Sequence, residues 1–297
     1  MLVKLDSCPL CKSASKEDYL EVKDFNVTQE SFQLQKCTNC DLIFTNNIPD
    51  ESNIGKYYKF ENYVSHTDTN KSLFFKAYHF VRSLMLVIKY NWISQYNLHT
   101  KRALDIGSGT GAFLAFLRKK GWEITGIEVD DVARANALRI NNINSLPPSD
   151  FYKINQEYDV ISLWHVLEHL HDLEGYLKKI KSILAKDGIL LIAVPNPTSQ
   201  DAHYYKEFWG ALDVPRHLYH FTPKSMDWLA QSFGFKIISK KRMWFDSIYA
   251  SILSEKNKNG FSFRGVLIGL FSNISALFNK NNCSSLTYIL KHQDNII

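Results

Sequence analysis

The stretch RALDIGSGTGAFLAFLRKKGWEITGIEVD, residues 102–130, decides the fold. ALDI is a short apolar run that suits a buried strand. Gly107, Gly109 and Gly111 follow with one residue between each. AFLAFLRKK then has helical periodicity and stops at Gly121, and WEITGIEVD reads as a second strand ending in acids. The segment is a β-α-β unit with a glycine loop at its first turn, where the backbone can bend sharply and approach a ligand closely.

The spacing also bears on the ligand. Dinucleotide enzymes favour G-x-G-x-x-G, with a pyrophosphate on the helix N-terminus. This loop is D-x-G-x-G-x-G. Asp105 would repel a pyrophosphate and suit a cationic or amino-bearing ligand. Glu128, after the second strand, is placed to accept hydrogen bonds from ribose hydroxyls.

Downstream, DVARANALRI predicts a helix and NNINSL (141–146) a short third strand. YDVISLW (158–164), GILLIAVPN (188–196), FKIISKK (235–241) and SLTYILK (285–291) predict strands four to seven. A helix with a glycine stop, LEGYLKKIKSILAKDG, precedes the fifth. Alternating strands and helices imply an α/β fold with a doubly wound, seven-stranded, mostly parallel sheet. Residues 68–99 predict a long helix before the first strand. Residues 247–280 predict an inserted helical segment between strands six and seven, strongly apolar at FRGVLIGLFSNISALF.

Four of the five cysteines, Cys8, Cys11, Cys37 and Cys40, form two C-x2-C pairs. Such paired knuckles make a tetrahedral zinc site. YLEVKDF and SFQLQKC between them can pair as a hairpin, and DLIFT can add a third strand. The sequence thus predicts a zinc ribbon at 1–48, a linker and helical lid at 49–99, and an α/β domain at 100–297. So small a ribbon has too little core to fold unaided, which makes the expected zinc structural. Cys283 reads as a packed thiol.

LDIGSGTG, YDVISLWHVLEHL and LAKDGILLIAVPN resemble the class I S-adenosylmethionine (SAM) dependent methyltransferases, over about residues 100–297. The resemblance implies that Asp105, Gly107, Gly109 and Gly111 hold the methionine part of SAM and Glu128 the ribose, with Trp164 and His165 shaping the cofactor pocket. A zinc ribbon joined to a methyltransferase by a tyrosine-bearing linker resembles the deoxysugar C-methyltransferases. That points to Tyr57, Tyr58, Tyr63, Ser65 and His66 as a lid.

WHVLEHLHD (164–172) lies at the carboxyl end of the fourth strand, where open α/β sheets bind ligands. Read as a helix, it would line up His165, Glu168, His169 and Asp172 on one face. His169 or His165 is then a candidate general base, oriented by Glu168. The stretch is also similar to the E-x-x-E-H of small-RNA and quinone-pathway O-methyltransferases, which bind a divalent ion. Here His165 stands in place of the first acid, and His217 and His220 are the completing ligands on offer. Trp209, Asp213, Arg216, His217 and His220, in EFWGALDVPRHLYHF, are expected over the pocket as substrate contacts, with Arg216 suited to an anion.

The [DN]-P-P-[YFW] of amino methyltransferases is absent after strand four, and LPPSDF (146–151) falls before it. No cysteine stands where a cytosine-C5 enzyme needs its nucleophile. A hydroxyl or carbon on a small molecule, sugar or glycan precursor is the expected acceptor. DNA is not expected, and RNA is disfavoured because the ribbon lacks an aromatic-interleaved basic surface. The alternative is a ribbon that binds RNA or protein on a methyltransferase platform. The net charge of +5 is scattered and decides nothing about partners. No apolar run reaches the roughly 18 residues of a membrane span, and the N-terminus lacks a signal-peptide core, so a cytoplasmic protein is expected. Residues 261–278 are expected to pack onto the core or onto a second copy in a homodimer, with contact to a membrane surface as the alternative.

Overall fold

The computed structural model describes residues 2–58 and 73–293, with side chains from 81 onward in the second stretch. Tyr63, Ser65 and His66, and the start of the expected long helix, lie outside the described residues. In chain order the elements are β1 (Leu2–Val3), β2 (Lys16–Lys23), β3 (Ser31–Cys37), β4 (Ile43–Asn46), β5 (Ile48–Pro49), α1 (Leu73–Ile93), β6 (Arg102–Ile106), α2 (Ala112–Lys119), β7 (Glu123–Ile127), α3 (Asp131–Asn141), α4 (Pro148–Phe151) and β8 (Tyr158–Trp164). They continue with α5 (Leu173–Ile183), β9 (Leu184–Pro195), α6 (Gln200–Tyr205), β10 (Tyr219–His220), α7 (Pro223–Ser232), β11 (Phe235–Arg242), α8 (Trp244–Asn257), α9 (Ser262–Phe278) and β12 (Ser285–His292).

The large sheet has the order β11-β12-β9-β8-β6-β7. β6 pairs parallel with β7 and β8, and β11 pairs antiparallel with β12. Its central strands β8 and β9 are largely apolar and buried along most of their length, as sheets covered on both faces require. The class is the α/β fold expected, with six strands rather than seven. The strand expected at 141–146 shrinks to one parallel bridge, Ile127 to Leu146. Asn142 takes a left-handed conformation at its start, and Pro147 and Pro148 at its end have no N–H for a ladder. Gly188, expected to stop a helix, lies inside β9, because α5 already ends at Ile183.

The chain forms two compact units: Met1–Glu61 with His165–Lys178 and Ile192–Gln293, and Asn62–Trp164 with Lys179–Leu191 and Asp294–Ile297. These limits differ from boundaries at 48 and 99. In the first unit, Val22, Phe32, Leu34 and Ile43 of the ribbon share one core with Tyr205, Trp209 and Leu212. The ribbon hairpin β2–β3 and its neighbour β4 form as expected, and β10 then adds a fourth strand, pairing Tyr219 with Phe44 and His220 with Ile43. The segment expected as a loop over the pocket is therefore partly a strand of the ribbon sheet.

Candidate active site

The glycine loop belongs to the second unit. Gly107, Gly109 and Gly111 all have positive φ, at 74°, 53° and 72°. A Cβ on Gly111 would also lie 2.9 Å from Ile143, so only glycine fits there. The amides of Gly107 and Ser108 donate to Ile127 O, and Gly109 N donates to Glu128 Oε2 at 2.7 Å. Glu128 Oε1 takes Asp130 N at 3.0 Å. The two buried carboxylate oxygens thus fix the loop and still have lone pairs for a ligand's hydroxyls. α2 starts at Gly111 without a side-chain cap, leaving its first N–H groups for an anionic group.

Asp105, at the end of β6, is buried and accepts a 2.6 Å hydrogen bond from Ser162. Burial raises its carboxyl to about 7, against the Ser162 hydrogen bond and the Lys89 charge. Such a group gains from a cation brought to it. Trp164 stands over Phe113, ring to ring at 5.4 Å, and carries Lys89 Nζ 3.7 Å from its ring centroid. Its buried indole N–H has no acceptor among the described residues.

His165 opens the other cluster, in the first unit. The stretch after β8 is not the helix expected. His165 takes φ 58°, an uncommon conformation for a non-glycine residue, and a single 3-10 turn spans Leu167–His169. Three backbone bonds hold this shape: His165 N to Ala193 O, His169 N to Val166 O, and Leu218 N to Glu168 O. Asp172 leaves the group, being exposed and bonded to Gly175 N.

His165 Nε2 meets Asp246 Oδ2 at 3.0 Å, and its Nδ1 lies 3.4 Å from Glu168 Oε1. Burial alone would lower the imidazole pKa, but the two carboxylates outweigh it and raise it to about 10. His165 is therefore a cation at neutral pH, which corrects its assignment as a resting base. Glu168 is fully buried. Burial would raise its pKa, yet the pairing with His165 outweighs that and holds it low. Among the described residues, neither of its oxygens has a hydrogen bond of good geometry.

His169 Nδ1 lies 2.9 Å from Arg216 O and 3.0 Å from the Tyr58 hydroxyl. A carbonyl only accepts, so Nδ1 carries the proton and Nε2 keeps its lone pair. The same reasoning applies to His217, whose Nδ1 is 2.9 Å from Ala211 O. Burial, then the neighbouring His169, push His217 down to about 4. Burial, then His217, push His220 to about 3. Glu168, His169 and His217 each offer a ligand atom within 4.8 Å of the others. This donor set, with an ionised carboxylate lacking hydrogen bonds, fits a divalent cation. His220 is not part of it.

Two expected substrate contacts and one expected lid residue are committed elsewhere. Arg216 is buried, donating through Nε to Asp213, through Nη1 to Tyr57 O, and through Nη2 to Asp24 and Asp213. It ties the ribbon to the loop and has no free face for an anion. Trp209 is core, with its indole N–H donated to Asp201 at 2.7 Å. Tyr57 is buried against Phe32 and donates to Glu30 at 2.6 Å. Tyr58 alone of the described linker tyrosines reaches the histidines.

The four ribbon thiols lie within 4.8 Å of one another, with Cys8 to Cys40 at 3.6 Å and Cys11 to Cys37 at 3.5 Å. Zinc–sulfur bonds of about 2.3 Å imply tetrahedral edges of about 3.8 Å, so the donors fit zinc. Each knuckle closes on a left-handed residue, Lys12 or Asp41, whose N–H donates to the Cys8 or Cys37 carbonyl.

A family described as a methyltransferase domain matches residues 79–240, more than half of the chain. The chain belongs to the SAM-dependent methyltransferases. Among curated relatives, this methyltransferase is 29% identical to a ubiquinone biosynthesis O-methyltransferase of Actinobacillus pleuropneumoniae, over 52% of this chain and 68% of that one. It is 29% identical to the enzyme of the same name from Pelagibacter ubique, over 33% of this chain and 43% of that one. A putative sarcosine dimethylglycine methyltransferase from Galdieria sulphuraria shares the fold, at a TM-score of 0.50 and 15% identity, over 72% of this chain and 85% of that one.

Asp246 and Asp24 are the functional-site partners that sequence reasoning missed. Asp246 is 81 positions from His165 and Asp24 is 192 from Arg216, so no local pattern links them.

Proposed function

We propose that the methyltransferase moves the methyl group of SAM to a hydroxyl of a small molecule, with His169 as general base. The observation that carries this is the hydrogen bond of His169 Nδ1 to Arg216 O, which leaves Nε2 as the ring's lone pair. In the step, the acceptor oxygen forms a bond to the methyl carbon as the carbon–sulfur bond breaks. The hydroxyl proton goes to His169 Nε2 and S-adenosylhomocysteine leaves. Asp105, the loop 107–111 and Glu128 hold SAM, and Tyr58 and Glu168 orient His169. The relatives' names favour oxygen over carbon. The ribbon cysteines hold a structural zinc.

The test is transfer of labelled methyl from SAM to a panel of catechols, phenols and nucleotide-linked deoxysugars. His169→Ala should lower kcat by about 10²–10⁴-fold with SAM affinity unchanged. Full turnover by the variant would remove the base assignment. Labelling of a deoxysugar at carbon would replace the oxygen reading.

One observation favours a second reading. The buried Glu168 carboxylate, held only by the 3.4 Å contact to His165 among the described residues and lying beside His169 and His217, suits a divalent cation that would polarise the acceptor hydroxyl. Loss of turnover in chelator, restored by magnesium or manganese, would select it over the histidine base.

A further inference from the structure

α9 is inverted relative to an ordinary surface helix. Gly265, Gly269, Ser272 and Ala276 are its buried residues. They face α8 so closely that a Cβ on Gly265 would lie 2.7 Å from Ile252 Cα, and one on Gly269 2.6 Å from Ile248 Cα. Ser272 also donates to the buried Asp201. The small residues therefore pin the helix to the protein, and its large apolar residues point away. Phe263, Leu267, Phe271, Ile274, Leu277 and Phe278 are 72, 50, 59, 56, 63 and 89% exposed. At 3.6 residues per turn they span roughly 120° of the helix, opposite the packed face. Phe261, just before the helix, is 84% exposed. A contiguous apolar face of this kind marks an interaction surface.

Charge selects the occupant. From Lys256 to Gln293 the chain has no aspartate or glutamate, and it carries Lys256, Lys258, Arg264, Lys280 and Lys291. Lys258 and Lys280 are exposed and bracket the apolar face along the chain, whereas Arg264 pairs with Glu255 at 3.7 Å. A two-fold pairing of α9 with a second copy would bring this basic margin against itself, with no acid in the segment to neutralise it. An anionic bilayer supplies both an apolar layer for the phenylalanines and negative headgroups for the basic margin.

We propose that α9 is a monotopic membrane anchor, lying in the plane of an anionic lipid surface with Phe263, Phe271 and Phe278 inserted among the acyl chains. No described helix is long and apolar enough to cross a membrane, so the contact is with one leaflet. The inference does not depend on the acceptor or on the catalytic base.

The test is co-sedimentation of the full chain with vesicles of phosphatidylcholine alone or mixed with phosphatidylglycerol, together with light scattering without lipid. The chain should bind the mixed vesicles, more weakly at high salt, and bind phosphatidylcholine poorly. A triple variant, Phe263→Ser, Phe271→Ser and Phe278→Ser, should lose at least tenfold in partitioning. Lys258→Gln and Lys280→Gln should each cost roughly fivefold. All these positions are exposed, so thermal midpoint and SAM affinity should match the parent. No binding to mixed vesicles at low salt would overturn the proposal, as would an undiminished triple variant. A lipid-free dimer that the triple variant dissociates, without vesicle binding by the parent, would assign the face to self-association instead.

Discussion

The Thr45 hydroxyl donates to the carbonyl oxygen of His217 at 2.8 Å, and Thr45 N takes the next carbonyl, Leu218 O, at 3.0 Å. Thr45 is on the ribbon strand β4, and Leu218 N in turn holds Glu168 O. The ribbon is thus part of the scaffold of the histidine cluster. The glycine loop is held by its own bonds to Ile127 and Glu128. Disrupting the ribbon, by Cys37→Ser or by stripping metal with a strong chelator, should lower turnover at least tenfold and leave SAM affinity within about twofold. Calorimetric SAM titration beside a turnover assay checks it, and equal losses in both would show global unfolding instead.

The His165 cation between Asp246 and Glu168 should give stability an alkaline limb. Its folded pKa, about 10, lies above the ordinary imidazole value. The proton-linked stabilisation is complete below about pH 6.5 and is lost as pH rises through about 10. Thermal midpoints taken from pH 7 to 10.5 should fall, and Asp246→Asn should flatten the decline. A variant with the parent's slope would dissociate the limb from this pair.

His217 and His220 work in the opposite direction. They are neutral in the fold, with pKa values pushed down to about 4 and 3 by burial. The unfolded chain binds protons first, so stability should drop as pH falls from about 6.5 towards 4. His220→Gln, removing one such group, should shift acid unfolding to lower pH when followed by circular dichroism. An unchanged acid midpoint would mean that His220 is protonated in the fold.

Arg216 is fully engaged by Asp24, Asp213 and the Tyr57 carbonyl. Asp24 also accepts from the amides of Asn26, Val27 and Thr28, so it organises the turn between β2 and β3. Arg216→Met would strand the fully buried Asp24 charge and should cost about 3–5 kcal/mol in urea unfolding. A loss below about 1 kcal/mol would show that the pair is dispensable and reopen Arg216 as an anion contact.

What was legible in the sequence was local. The β-α-β unit, the glycine loop and Glu128 lie within 102–130, and there the periods of strand and helix and the positions of glycine have one consistent reading. The paired cysteines were legible because knuckle geometry fixes their spacing. Where the reading failed, distant segments decided the conformation. The histidine stretch could not be known as a 3-10 turn, because its shape depends on bonds to Ala193 and Leu218. β10 has only two residues and no strand pattern, and it exists because β4 offers it an edge. Arg216 looked like an anion receptor because its acids come from the ribbon and from its own turn.

If Asp105 holds SAM as proposed, SAM binding should depend on pH. In the free protein its carboxyl is poised at about 7, because burial opposes ionisation more than Ser162 and Lys89 favour it. SAM carries a sulfonium and an ammonium, and an ionised Asp105 would attract them while a protonated one would not. Binding must therefore expel a proton below about pH 7. Affinity should weaken on acidification by up to about tenfold per pH unit and level off above pH 8. Asp105→Asn should bind SAM more weakly at pH 8 and lose most of the pH dependence, with the fold kept because asparagine can still accept the Ser162 hydroxyl. Titrations of both proteins from pH 5.5 to 8.5 decide the matter: a wild-type affinity constant across that range would mean that the carboxyl is already ionised and does not gate the cofactor.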